Sequence, residues 1–329
     1  KFVNIVRTGI NPASTRGYSL ALGYLPAKLL APTSNVLDGT LSCLCQISHP
    51  NAKVGTEKDA ETRRNALLSL SRICESVGLM NSSRRQNIGR VKYVDADIGL
   101  SVKQIKQVFT AYIGSMDDYN TDQRGDVGSK CRLAAMNGLV KLAIITSGQQ
   151  QDNSITGEVI TDYFSTELCA RITGMILKQL AEKLDFVRSE AARCLLLFLN
   201  KESPTKIYVA KRQDLIDALA ISSGSNGGLP NNNENYTNWA DPLITFPIVM
   251  KAADISEYFG YVVSGLILSV GGLTKSVTQN SSSVLARWTR CATESELDRL
   301  GIGKSANQNY TPLRNIALPV FKKEMINRL

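Results

Sequence analysis

The 329-residue chain has one histidine, His49. A single imidazole cannot furnish a multi-histidine metal site. It could serve one triad, but it stands in "QISHPNAKVG", and no nucleophile elbow occurs in the chain. It reads as a surface-loop histidine ahead of a proline. Aromatic residues are only 6% of the total. Alternating strand patterns are scarce, with "KIYVAK" at 206–211 the best of them, so a sandwich of aromatic-rich strands is excluded. No C-x-x-C occurs among the seven cysteines at 43, 45, 74, 131, 169, 194 and 291. Most sit in apolar helical patterns and read as small buried hydrophobes in a reducing compartment. The N-x-[ST] triplets at Asn81, Asn235, Asn280 and Asn309 are chance occurrences in that setting. No secretory signal is visible. The most apolar stretch, "YFGYVVSGLILSVGGL" at 258–273, is shorter than the ~20 residues a spanning helix needs. It reads as a buried helix. The first residue is Lys1 rather than Met, which reads as a fragment or a processed chain.

Charge of one sign is in mild excess. Lys and Arg number 38 against 29 Asp and Glu, a net +9. An acidic partner would account for it, and so would a solvated basic surface. No basic block exceeds two residues, Arg84–Arg85 and Lys322–Lys323 being the densest. Neither pair has the interleaved aromatics of a single-strand binding groove.

Three motifs invite chemistry and fail on their own spacing. In "DYNTDQRGDVGS", Asp118, Asn120 and Asp122 fit positions 1, 3 and 5 of a calcium loop. Position 6 is Gln123 where glycine is needed, and position 12 is Ser129 where a bidentate glutamate is needed. Arg124-Gly125-Asp126 spells an adhesion tripeptide, too short to mean much and at odds with the cysteine usage. "LGIGKSA" at 300–306 ends like a phosphate loop, but Asp298 occupies the first glycine position and the preceding "ESELDRL" is helical in pattern. No catalytic, metal or cofactor residue emerges.

What is present is a 3.6-residue apolar period over most of the chain. It predicts helices at 14–30, 35–48, 58–78, 101–115, 128–147, 157–183, 185–200, 240–250, 254–270, 274–290 and 311–328. Several share a unit: Arg63, Ala66 and Leu70; Arg132, Ala135 and Leu139; Arg188, Ala191 and Leu195; and a weaker copy from Arg16. The offsets i, i+3, i+7 keep a small residue and a leucine on one face, so a neighbouring helix can approach closely. The arginine can brace an adjacent turn, and an aspartate just ahead can cap the helix. Degenerate repeats of this kind predict an all-α, HEAT/armadillo-like solenoid in one domain over 1–329. Loop excursions interrupt it near 82–99 and at the Gly/Asn/Ser/Pro tract 221–242.

Three strings carry a family resemblance: "NPASTRGYSLALGYLP" (11–26), "GSMDDYNTDQRGDVGSKCRLAAM" (114–136) and "VSGLILSVGGLTKSVTQNSSSVL" (263–285). In order across about residues 2–290, the chain resembles the C-terminal region of the tubulin-folding cofactor D family. Asp117, Asp118, Asp122, Arg124, Asp126 and Arg132 form the signature. Lys130 and Cys131 depart from it, standing where the family usually has an aromatic residue and a valine. The resemblance implies a cytoplasmic, microtubule-associated chaperone that captures β-tubulin. With cofactors E and C and an Arf-like small GTPase, such a chaperone assembles or dismantles the αβ-tubulin dimer. It implies no catalytic residue, stimulation of GTP hydrolysis belonging to the assembled complex, and neither nucleic acid nor membrane insertion. The competing reading is a helical-repeat adaptor for nucleic acid or trafficking cargo. It accounts for the helices and the charge, but not for the three strings.

Overall fold

A computed structural model describes residues 2–9, 11–30, 34–52, 59–79, 99–147, 163, 165–199, 207–221 and 238–291. The helix expected at 311–328, the stretch 300–306, the Arg84–Arg85 and Lys322–Lys323 pairs and nearly all of both excursions lie outside these residues. The fold is all-α, built of stacked helical pairs as the repeats predict. It divides into two compact units, 1–165 with 204–208, and 166–203 with 209–329.

The first unit holds α1 (Phe2–Thr8), α2 (Pro12–Ala21), α3 (Ala27–Leu30), α4 (Ser34–Ser48), α5 (Ala60–Val77), α6 (Val102–Ser115) and α7 (Gly128–Ser147). Helices α1, α4 and α6 lie side by side in one layer, and α2, α5 and α7 in the other. The starts of α2, α5 and α6 are marked locally. Asn11 accepts from Ser14 N ahead of Pro12 at the first turn of α2. Asp59 accepts from Glu61 N and Thr62 N at α5. Ser101 and Gln104 form a reciprocal capping box at α6. The single helix expected over 14–30 is divided. Leu25, before Pro26, is extended at φ −68°, ψ 139°, because a pre-proline residue is pushed out of the helical region. Helix α5 ends at Gly78, with φ +71°, where a side chain would be strained. Leu100 N then donates to Gly78 O at 2.8 Å, and Leu79 pairs in parallel with Leu100.

The second unit holds α8 (Thr166–Leu180), α9 (Asp185–Leu199), α10 (Arg212–Ala218), α11 (Pro242–Lys251), α12 (Phe259–Val270) and α13 (Lys275–Cys291). Helix α8 packs on α9 and α12, and α13 packs on α11 and α12. Buried Arg212 donates to Phe198 O and Leu199 O at 2.7 and 2.8 Å, satisfying the last carbonyls of α9. The apolar stretch 258–273 forms the buried α12, and no described helix is long and apolar enough to cross a membrane. The described part of helix 157–183 begins at Thr166, and that of 254–270 begins at Phe259 after a 3-10 turn at Ala252–Asp254. The strand suggested at 206–211 does not form among the described residues. Ile207 and Val209 are buried on the approach to α10, a seven-residue helix too short for its period to register.

Six cysteines, Cys43, Cys45, Cys74, Cys131, Cys169 and Cys194, are free thiols. Burial pushes the Cys45, Cys131 and Cys194 thiols up to about 12, so they remain protonated packing groups. Helices approach closely where glycine permits. A Cβ on Gly138 of α7 would lie 2.3 Å from the Tyr112 ring of α6, whose hydroxyl donates to Leu67 O of α5. Gly138→Ala should therefore lower stability by about 1–3 kcal/mol, read as a lower midpoint in denaturant unfolding with an unchanged slope.

Candidate functional site

The acidic turn between α6 and α7 is the most elaborated polar feature. Asp117 is exposed, and its backbone N–H donates to Gly114 O at 3.3 Å as α6 ends. Asp118 turns inward and is fully buried. Its carboxylate accepts from Arg63 Nε at 2.8 Å and Arg63 Nη2 at 3.3 Å. Asn120 adds a donor at 2.7 Å to Asp118 Oδ1 and another at 2.9 Å to Pro50 O. A short hairpin follows, Thr121 facing Asp126 and Asp122 facing Gly125. Gly125 has φ +95°, the conformation that closes such a turn. Asp122 and Arg124 pair with each other at the exposed tip, at 2.7 Å.

Asp126 returns to the interior. It accepts from Ser129 N at 3.0 Å, capping the first turn of α7. It also receives both terminal nitrogens of Arg132, at 3.1 and 3.2 Å. Arg132 is fully buried, donates to Asp118 O at 2.7 Å and lies 4.3 Å from the Tyr119 ring centre. Gly128 is required by proximity, since a Cβ there would sit 2.1 Å from Asp118 O. Of the six signature residues, three therefore interlock (Asp118, Asp126, Arg132), Arg132 bridging Asp126 and Asp118 O while Arg63 holds the Asp118 carboxylate. Asp117, Asp122 and Arg124 stay at the surface. The carboxylates that resemble calcium ligands already accept hydrogen bonds from the chain's own arginines and amide. The aspartate of Arg-Gly-Asp is likewise committed inward.

The departures Lys130 and Cys131 find partners in α5. Lys130 Nζ reaches Glu61 at 2.6 Å, and the Cys131 thiol faces Ala60 O at 3.5 Å. The hydrogen bond from Lys130 is the main reason Glu61 is held below the usual carboxylate range. One step back in the stack, Arg16 of α2 pairs with Asp59 at 2.7 Å. Burial alone would raise the Asp59 carboxyl, but the hydrogen bonds from Arg16 and Thr62 outweigh it and lower it.

Arg188 of α9 is the third buried arginine of the repeat unit. It donates to Glu182 O at 2.8 Å and, across to the start of α11, to Ala240 O. Burial lowers its pKa. Sequence reading missed two relatives of this brace. Thr245 Oγ1 donates to Trp239 O at 2.8 Å, and Thr278 Oγ1 to Gly272 O at 3.0 Å. Like Arg188 with Glu182, each reaches six residues back and ties its helix to the turn before it. The available signal was Thr278, Ser281 and Leu285, which keep the i, i+3, i+7 offsets after the arginine is gone. A second missed feature lies at the start of α9, at that of α11 and just ahead of α13. Phe186, Leu243, Ile244 and Leu273 are exposed there, Leu273 completely. They are left in water at or just ahead of the starts of three alternate helices.

Among the described residues, no cluster of three or more His, Cys, Asp or Glu is arranged to hold a metal ion. His49 is exposed in its loop and accepts from Asn51 N at 3.1 Å. The polar groups described above brace helices to the turns between them. The family model described as "Tubulin folding cofactor D C terminal" matches residues 170–311. The chain is similar to the C-terminal region of tubulin folding cofactor D. A curated relative, the tubulin-specific chaperone D of Dictyostelium discoideum, is 24% identical over 298 residues, covering 88% of this chain and 19% of that protein. The chain thus spans about one fifth of the length of the relative it matches. No solved structure matches it.

Two predictions follow the polar network. Asp118→Ala strands Arg63 in the core and should cost about 3–5 kcal/mol. Asp126→Ala removes both a cap, about 0.5–2 kcal/mol, and the partner of buried Arg132, so its cost should exceed that of a cap alone. Asp122→Ala at the tip should leave the unfolding midpoint unchanged. Chemical denaturation of the three variants checks the ranking. The Asp59 carboxyl, lowered from an ordinary value of 3.8, contributes stability that is present above that pH and lost as pH falls through its lower folded value. The stability difference between wild type and Asp59→Asn should be constant above about pH 5 and shrink below pH 4, as followed by acid-dependent unfolding.

Proposed function

We propose that this chain is the C-terminal scaffold of a tubulin-folding chaperone and holds its partners over a broad surface rather than transforming them. The match over residues 170–311 carries the reading. It is supported by a fold whose interior polar groups brace helices to one another. In this reading the partners are β-tubulin, cofactors E and C and an Arf-like small GTPase, and the chain works in the cytoplasm beside microtubules. GTPase-activating activity resides in the assembled complex acting on tubulin. The signature Asp117, Asp118, Asp122, Arg124, Asp126 and Arg132 serves the scaffold and not the contacts. The contacts fall on the edge carrying Phe186, Leu243, Ile244 and Leu273. A net charge of +9 steers an acidic partner towards the chain.

Pull-down of the whole chain with β-tubulin, cofactors E and C and the GTPase, each tested separately, should retain at least one at physiological salt. The double variant Leu243→Asp, Leu273→Asp should weaken that retention by about tenfold or more, since two exposed hydrophobic anchors are lost, while the unfolding midpoint stays in place. Retention of none of the four would overturn the reading. Binding to random-sequence DNA or RNA with a steep salt dependence would favour an adaptor for nucleic acid instead.

A further inference from the structure

The braces do not run evenly along the stack. In each of three places an arginine on one helix reaches forward to the turn that leads into the next helix of its layer or the next pair. Arg16 of α2 holds Asp59 before α5, Arg63 of α5 holds Asp118 ahead of α7, and Arg188 of α9 holds Ala240 O before α11. At α11 the equivalent donor is Thr245, whose short side chain is spent on Trp239 O behind it. The turn before α13, residues 271–274, receives no forward brace from the described residues. Among the described residues its backbone follows on from α12, Gly272 N donating to Ser269 O at 2.9 Å, and the one side-chain hydrogen bond to it comes from within α13, from Thr278 to Gly272 O.

The two helices joined by that turn are held very differently. Helix α12 is locked to α8. Ser269 Oγ donates to Ala181 O at 2.7 Å. A Cβ on Gly265 would lie 2.5 Å from Lys178 O, and one on Gly174 would lie 2.3 Å from the Tyr261 ring. Helix α13 is polar along most of its length. Its described side-chain hydrogen bonds are all local: Thr278 to Gly272 O, Asn280 to Ser276, Ser281 to Val277 O and Thr278 O, and Thr289 to Ala286 O. Among the described residues no ion pair or side-chain hydrogen bond joins it to another helix. Its attachment is apolar, through buried Val277 and the Trp288 ring 5.5 Å from Phe259. The connecting turn contains Gly271 and Gly272 beside fully exposed Leu273, a backbone that can change direction at low cost.

We propose that α13 opens as one piece about the 271–274 turn while α12 stays on α8, exposing in a minor population the faces of α11 and α12 that α13 covers. Elements with few polar ties and modest burial are where sub-global opening concentrates. The brace missing between α11 and α13 sets the position of the joint.

Native-state hydrogen exchange on the whole chain, under conditions where exchange reports the opening equilibrium, tests this. The amides of α13 should share one common protection factor, about 10- to 100-fold below that of α12. The near-isosteric Thr278→Val, which removes the side-chain tie between α13 and the turn, should speed exchange throughout α13 by about fivefold, the worth of one net hydrogen bond, and leave α12 unchanged. Equal protection of α13 and α12 would overturn the proposal. So would protection that falls steadily from Lys275 towards Cys291, the mark of end fraying, or an equal acceleration of both helices by Thr278→Val.

Discussion

An arginine buried without acceptors for its guanidinium costs more than a helical repeat of this size can readily spare. That constraint organises the first unit. Arg63 and Arg132 are both fully buried, and each depends on a carboxylate delivered by the same turn. Asp118 and Asp126 are eight positions apart in sequence, yet both must face inward. The hairpin between them exists to make that possible. It lets the chain leave the interior after Asp118, turn at Gly125 in the left-handed region and return at Asp126 as the cap of α7. Gly128 then lies where no side chain fits beside Asp118 O. Remove the charge requirement and neither the hairpin nor the glycine has a reason.

The same chemistry is simpler in the second unit. Arg188 addresses two backbone carbonyls and no carboxylate, and its pKa is lowered by burial. Thr245 and Thr278 keep only the backward reach. A threonine hydroxyl desolvates far less than a guanidinium and needs one acceptor rather than several. A threonine brace therefore ties its helix to one turn only, where Arg188 holds two.

Much of the fold was legible because amphipathic periods survive sequence drift. Helices α4, α5, α6, α7, α9, α11 and α13 lie within a few residues of where apolar spacing puts them. The misses have physical causes. Pro26 splits one predicted helix through the conformation of Leu25. Helices α1 and α10 are seven residues each, too few turns for a period to stand out. Arg63, Arg132 and Arg188 were legible as a repeating position, and Asp126 as a cap. That Asp118 would be the buried partner of Arg63 was not, because a contact across 55 positions leaves no periodic trace. The exposed apolar edge was equally hidden. Phe186 and Leu243 fall within helical patterns, and only the packing shows that they point away from the core.

The parallel pairing of Leu79 with Leu100, both buried, brings the chain leaving α5 and the chain entering α6 to adjacent backbone positions. That pairing fixes the register of α5 against α6 whatever the number of residues between them in sequence. Doubling such a loop adds only about 0.6 kcal/mol of closure entropy. The clamp is therefore a port where sequence can be gained or lost without disturbing the repeats on either side. It is also the natural place to insert a reporter or an affinity handle into this chain.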